Sequence, residues 1–287
     1  PAGIRTTLES LTDLTYPTES HEIVVVDNDS TDETYAVAAS LASGHEHISV
    51  AVEEGVQSSY AARNTGVSHA SGDVLAFIDA DMKVPASWLT DLSTVFRETN
   101  ADYVGCDVEL FVPDGERRGL VARYNLAEGF PIERYMSELD YAPTCCMAVR
   151  RPVFDDVGPF TADLVSGEDV EFGRRVAQAG YAQRFAAGVT VYHPVRTTLG
   201  EMISKYVRHG RGREQRYQRY RDTKQSRPWY HPRNFLPLHP GRFYARMSGS
   251  TAWLLLPVFY LVAYVCKLAR VWGQIRERFG KYFDNMS

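Results

Sequence analysis

Two apolar runs that each deliver an aspartate constrain this chain most: residues 22–27 (EIVVVD) and residues 74–79 (VLAFID). Consecutive apolar positions suit a strand covered on both faces, as in the interior of a parallel sheet. Helical spacing surrounds the two runs. Ile4, Leu8, Leu11 and Leu14 predict a helix before the first, and residues 58–70, closed by Gly72, predict one before the second. A strand at residues 48–52, a helix from the polar turn 28–32 to about residue 42, and a helix over 85–96 with Pro85 near its start complete the alternation. Repeated β-α-β order predicts an α/β fold with a mostly parallel sheet flanked by helices. In such sheets ligands bind beyond the carboxyl ends of the strands. Residues 27–32 and 79–81 both fall there. Further along, strands are expected at residues 103–112, 145–149 and 188–192, and a helix at 167–179.

Charge divides the chain. The net −5 over 287 residues combines −18 for residues 1–195, +10 for 196–246 and +3 for 247–287. We therefore expect a globular domain over 1–195, a basic Arg/Tyr-rich segment over 196–246, and an apolar helix with a tail over 247–287. The run RHGRGREQRYQRYR at 208–221 suits phosphate groups or anionic lipid. The acidic body argues against nucleic acid as a partner.

Residues 247–266 carry no charge over 20 positions, just enough to cross a bilayer core. Trp253, Tyr260 and Tyr264 are residue types that settle at membrane interfaces. The competing expectation is a helix buried on the domain or in a homodimer. Basic residues on the N-terminal side of this segment would put the body at the cytoplasmic face of the cell membrane, peripheral or held by a single pass. Cys106, Cys145, Cys146 and Cys266 form no C-x-x-C pair, so neither a disulfide framework nor a zinc site is expected, and a reducing compartment fits best. No secretory signal precedes the first helix. The chain opens at Pro1, directly before a helical pattern, and is read as lacking something upstream.

Two constellations carry chemistry. Asp79-Ala80-Asp81 places two carboxylates just past a strand, where they can ligate a divalent cation such as magnesium or manganese. A solvated turn or helix cap is the plainer alternative, as it is for Asp27 and Asp29. In VSGEDVEFGRRV at 165–176, Glu168 and Asp169 open a helix whose dipole favours their charge. They act there as a cap, or as a general base aimed into a pocket.

In order and spacing, VVVDNDSTDET at 24–34, AARNTGVSHASGDVLAFIDAD at 61–81 and GPFTADLVSGEDVEFGRRVAQAGY at 158–181 resemble family 2 inverting glycosyltransferases of the GT-A fold. The resemblance covers roughly residues 1–195. It implies a Rossmann-like GT-A domain in which Asp27, Asn28 and Asp29 hold the base and ribose of a nucleotide-diphospho-sugar. Asp79, Ala80 and Asp81 would form the D-x-D that binds metal, ribose and diphosphate, and Arg63 and Asn64 would flank the donor pocket. Asp169 would be the general base beside Glu168, and His193 a third metal ligand next to Asp79 and Asp81. Family members normally begin with a further strand, which is absent here. Gln215 has no arginine three residues later, and Gln218, which has Arg221 there, is followed by Asp222 rather than the tryptophan of Q-x-x-R-W, so single transfers are expected rather than polymerisation.

The expected activity is thus a metal-dependent inverting transfer, non-processive, from a nucleotide-diphospho-sugar to a glycan or polyprenyl-lipid-linked acceptor. Inverting displacement needs a base on the acceptor hydroxyl and a cation on the departing diphosphate. The alternatives are a nucleotidyltransferase, or a catalytically degenerate nucleotide-sugar-binding module.

Overall fold

The computed structural model describes residues 1–220, 228–247 and 253–284. In chain order α1 (Ala2–Thr12), β1 (Ile23–Asp27), α2 (Thr34–Ala42), β2 (Ile48–Val52), α3 (Ser59–His69), β3 (Val74–Ala76), α4 (Trp88–Glu98) and β4 (Tyr103–Phe111) come first. They are followed by α5 (Leu120–Glu128), α6 (Ile132–Leu139), β5 (Met147–Arg150), α7 (Arg151–Val157), α8 (Glu168–Gln178) and β6 (Gln183–Pro194). Three helices close the chain: α9 (Leu199–Tyr220), α10 (Pro240–Arg246) and α11 (Leu256–Asp284).

These residues fall into two compact units. One comprises Pro1–Leu110, Phe130–Asp163 and Glu168–Pro194; the other comprises Phe111–Gly129, Leu164–Gly167 and Val195–Ser287. Two stretches inside 1–195 therefore fall in the same unit as the C-terminal helices.

In the first unit, apolar spacing explains the helices. α1 buries Ile4, Leu8 and Leu11, and α4 buries Trp88, Leu92 and Phe96 one turn apart. α3 starts where the Ser58 side chain accepts a hydrogen bond from Tyr60 N at 3.2 Å. β1 and β2 pair in parallel, from Ile23 opposite Ile48 to Asp27 opposite Val52. A second sheet has the order β3-β5-β4-β6, with β5 antiparallel to both β3 and β4. The class is α/β, as the alternation of elements predicts. Its parallel pairing is seen in β1–β2, and the reversal of β5 is invisible to periodicity, which is alike for either strand direction.

β1 differs from expectation in burial. Its apolar residues are only half-buried, because a cavity of about 640 Å³ adjoins it, lined by Leu8 and Leu11 of α1, Val24 and Val26 of β1, and Leu75 of β3. The core proper is aromatic: Phe77, Phe154, Phe160 and Phe172 pack together, Phe160 and Phe172 with centroids 4.8 Å apart.

In the second unit α9 packs on α11. Side chains added at Gly210 and Gly273 would meet the carbonyl oxygens of Arg270 and Val207 at 2.0 and 2.1 Å, so the backbones touch. Glu128 accepts hydrogen bonds from the hydroxyls of Tyr206 at 2.9 Å and Tyr124 at 3.1 Å. α9 also holds the turn at residues 164–167. Val165 N donates to Gln215 Oε1 at 2.7 Å, and Arg216 donates to Ser166 O at 2.6 Å.

Residues 256–280 of α11 are long and apolar enough to cross a membrane by length and composition. Leu261, Leu268 and Trp272 lie exposed along this helix. The apolar helix thus begins at Leu256 and extends beyond the uncharged stretch read at 247–266. Residues 248–252 of that stretch, and Arg221 of the basic run, lie outside the described residues.

Candidate active site

The site gathers at the carboxyl ends of β1 and β3. Asp27 closes β1 at 7% exposure, its Oδ2 accepting from Ser30 N at 2.9 Å. Its other oxygen Oδ1 and Asn28 Oδ1 are buried with no hydrogen-bond partner among the described residues. Buried acceptors without partners are costly and uncommon. Asp29 then adopts the left-handed region at φ 56, and its Oδ2 accepts from Gln57 Nε2 at 3.2 Å. A non-glycine residue held there stores strain, a feature that clusters at ligand sites.

Past β3, Met82 N donates to Asp79 O at 3.2 Å and closes the D-x-D turn. Arg63 of α3 pairs with Asp79, its guanidinium donating to Oδ1 at 2.5 Å. Asn28, Arg63, Asp79 and Ala80 all line the 640 Å³ cavity, so the two acidic turns share one space. Asp81 lies beside the start of α1, where a Cβ on Gly3 would come within 3.1 Å of Asp81 Cβ.

Sheet register brings two further donors to Asp79. Ala76 stands opposite Ala148, and Phe77 N donates to Met147 O at 2.8 Å. This antiparallel pairing brings the end of β3 toward the 3-10 turn at residues 144–146, which carries Cys145. Lys83 and Tyr192 exchange two backbone hydrogen bonds, which dock the turn on β6 one residue before His193. Donor atoms of Asp79, Cys145 and His193 consequently lie within 4.8 Å of one another, in a group that does not include Asp81. His193 Nδ1 lies 2.7 Å from Pro194 O, and its ring stacks on Phe130. A carbonyl on Nδ1 assigns the proton there and makes Nε2 the ring's lone-pair nitrogen, the usual state of a ligating imidazole. Carboxylate, imidazole and sulfur together fit a divalent transition ion.

The acid pair joins the same site through α3. Tyr60 lies one turn before Arg63, which stacks 5.0 Å over its ring. Burial first, then the carboxylates of Asp169 and Glu168, push the Tyr60 hydroxyl well above its ordinary range. Tyr60 therefore faces the acids while Arg63 faces Asp79. Glu168 is fully buried at 0% exposure, whereas Asp169 is half-buried in the first turn of α8. Of the two acids, only Asp169 keeps exposed surface.

Asn64 points elsewhere. Its Nδ2 donates to Phe160 O and its Oδ1 accepts from Phe160 N, both at 2.9 Å. The side chain expected to flank the donor pocket ties α3 to the aromatic core. Sequence reasoning passed over Tyr60 and Cys145. The i, i+3 spacing of Tyr60 and Arg63 on one helix face was a usable signal for the first. Cys145 needed the strand register.

These features describe an α/β enzyme whose ligand site lies at the carboxyl ends of its strands. Residues 1–158 match the model of glycosyl transferase family 2, and the chain belongs to that family: it is a glycosyltransferase. It is 37% identical over 214 residues to the glycosyltransferase AglE of Haloferax volcanii, covering 74% of this chain and 69% of that one. It is 30% identical over 158 residues to a pre-mycofactocin glycosyltransferase of Mycobacterium tuberculosis, covering 52% of this chain and 33% of that one. The fold is shared with a mannosyltransferase, PcManGT from Pyrobaculum calidifontis, solved with GDP-Man and Mn2+ (TM-score 0.67, 19% identity, 98% of this chain and 84% of that one). It is also shared with residues 1–349 of S. aureus TarS, solved with UDP-GlcNAc (TM-score 0.54, 16% identity, 97% and 88%). Membership of the family decides against a nucleotidyltransferase.

Proposed function

We propose that the chain is an inverting, metal-dependent glycosyltransferase that moves one sugar per encounter from a nucleotide-diphospho-sugar to a glycan or polyprenyl-lipid-linked acceptor. One observation carries this reading: α3 joins the D-x-D turn, through Arg63–Asp79, to the acid pair, through Tyr60. The ligands of PcManGT and TarS, GDP-Man and UDP-GlcNAc, support the donor class.

The residues divide the work. Asp27 Oδ1 and Asn28 Oδ1, acceptors without partners among the described residues, receive N–H and hydroxyl groups of the nucleoside. Arg63 sets its cation beside the diphosphate, where guanidinium matches phosphate oxygens in pairs. Asp79 and His193 would hold a divalent cation, with Asp81 at the other end of the D-x-D turn toward ribose and diphosphate. Such a cation stabilises charge on the departing diphosphate as a Lewis acid. Asp169 takes the proton of the acceptor hydroxyl as its oxygen attacks the anomeric carbon and the bond to the diphosphate breaks. Attack opposite the leaving group inverts the configuration in one step. Glu168, fully buried, positions through Tyr60 rather than acting as the base.

A membrane surface suits the acceptor. Leu254, at 95% exposure, and then Leu261, Leu268 and Trp272 present an apolar face of the second unit. A helix of that kind lies in the lipid interface, here at the cytoplasmic face.

Asp169→Asn tests the base. With UDP- and GDP-sugars screened by release of the nucleoside diphosphate, the variant should lose about 10²- to 10⁴-fold in turnover while still binding the nucleoside diphosphate. Turnover at the wild-type rate would remove Asp169 from the reaction.

A further inference from the structure

The cation site has a donor that the D-x-D reading does not supply. We propose that Cys145 is its third protein ligand, with Asp79 and His193, and that its sulfur makes the site select a thiophilic transition ion over magnesium. This rests on the cation-binding part of the proposed function and names which ion class that site takes.

Geometry comes first. Donors bound to one ion at roughly 2.0–2.3 Å stand no more than about 4.6 Å apart; the three side chains offer atoms within 4.8 Å of one another, so a small side-chain adjustment brings them onto one ion. Each is placed by regular structure. Asp79 lies just past β3 and Cys145 just before its antiparallel partner β5, and His193 follows Tyr192, which bridges to Lys83 beside the D-x-D turn. The carbonyl of Pro194 on Nδ1 orients the imidazole as outer-shell carbonyls orient ligating histidines.

Chemistry then separates the ions. Magnesium requires oxygen ligands in near-ideal octahedral geometry and dehydrates reluctantly. Thiolate is soft, and its affinity rises along the transition series. Cys145 is 4% exposed at the 3-10 turn 144–146, so few waters compete for an ion on its sulfur. The other half of the vicinal pair is engaged differently, since Cys146 Sγ donates to Pro143 O at 3.4 Å. On binding, the ion replaces the Cys145 thiol proton, which leaves to solvent.

The test is titration of the full chain with Co2+ alone, read by absorbance. The expected result is ligand-field bands in the visible together with a near-ultraviolet sulfur-to-cobalt charge-transfer band. That second band should vanish in Cys145→Ser and Cys145→Ala and persist in Cys146→Ser. Competition should show Cd2+ affinity falling on the order of tenfold or more in Cys145→Ser, with Mg2+ affinity nearly unchanged. Ligand-field bands without charge transfer in the wild type would overturn the role of Cys145 and leave the cation site standing. Absence of both bands would overturn the proposal and the cation site together. A charge-transfer band lost in Cys146→Ser but kept in Cys145→Ser would overturn the assignment. The wild-type spectrum decides even where a variant fails to fold.

Discussion

Asn64→Ala separates a ligand-facing side chain from one that fastens the site. Asn64 makes two hydrogen bonds of 2.9 Å, one to each backbone group of Phe160, across 96 residues of sequence. Each such bond contributes about 0.5–1.5 kcal/mol net, so their joint loss costs roughly 1–3 kcal/mol. The pair is part-buried, so water recovers some of that, and about 2 kcal/mol is the expected value. Phe160 is 2% exposed and packs against Phe77, Phe154 and Phe172, so the loss should appear in cooperative unfolding. Asn64→Asp should be at least as damaging, because it keeps the acceptor for Phe160 N but sets a carboxylate against Phe160 O. Urea denaturation followed by tryptophan fluorescence measures both. Nucleoside diphosphate affinity, measured on the folded variants, should change by less than about threefold, under ~0.7 kcal/mol. An Asn64→Ala protein with wild-type stability and a tenfold or greater loss of nucleotide affinity would refute this reasoning and return Asn64 to the donor pocket.

Two further outcomes follow from packing and charge. A Cβ on Gly173 would meet Asp140 O at 2.5 Å and Tyr141 Cα at 2.7 Å. Gly173→Ala should therefore cost about 1–3 kcal/mol by overpacking and slow turnover by displacing α8, whereas unchanged stability would show that α8 does not press on residues 140–141. Burial first, then the charges of Lys205, Arg270, Arg208 and Arg216, hold the His209 imidazole well below its ordinary value. The folded state thus binds fewer protons than the unfolded one, and stability present above about pH 6.5 is lost as pH falls below it, by up to about 1.4 kcal/mol per pH unit. Denaturation at pH 7.5 and 5.5 should show a smaller pH dependence in His209→Gln than in the wild type, and equal slopes would remove His209 as the cause.

The local pattern of residues determined the elements and the chemistry each could offer. The apolar run at 23–26 became β1, residues 74–76 of the run 74–78 became β3, and the stripe Ile4, Leu8, Leu11 became the buried face of α1. The acid pair was legible because carboxylates at a helix start satisfy free amides, and Glu168 and Asp169 do open α8. These signals are local: a periodicity of two or 3.6 records which face of one element is covered, and nothing about its neighbours. What the neighbours are was decided by tertiary structure. The pairing of β3 with β5 brought the turn carrying Cys145 near Asp79, and a bridge between residues 83 and 192 carried His193 to the same place. Packing sent Asn64 to Phe160, buried Glu168 and left Asp169 half-exposed, so two adjacent acids that look equivalent in sequence have different chemistry available. A hydrogen-bonded register is a relation between distant strands, and burial is a sum over everything that packs on a side chain. Neither is written at any single position of the chain.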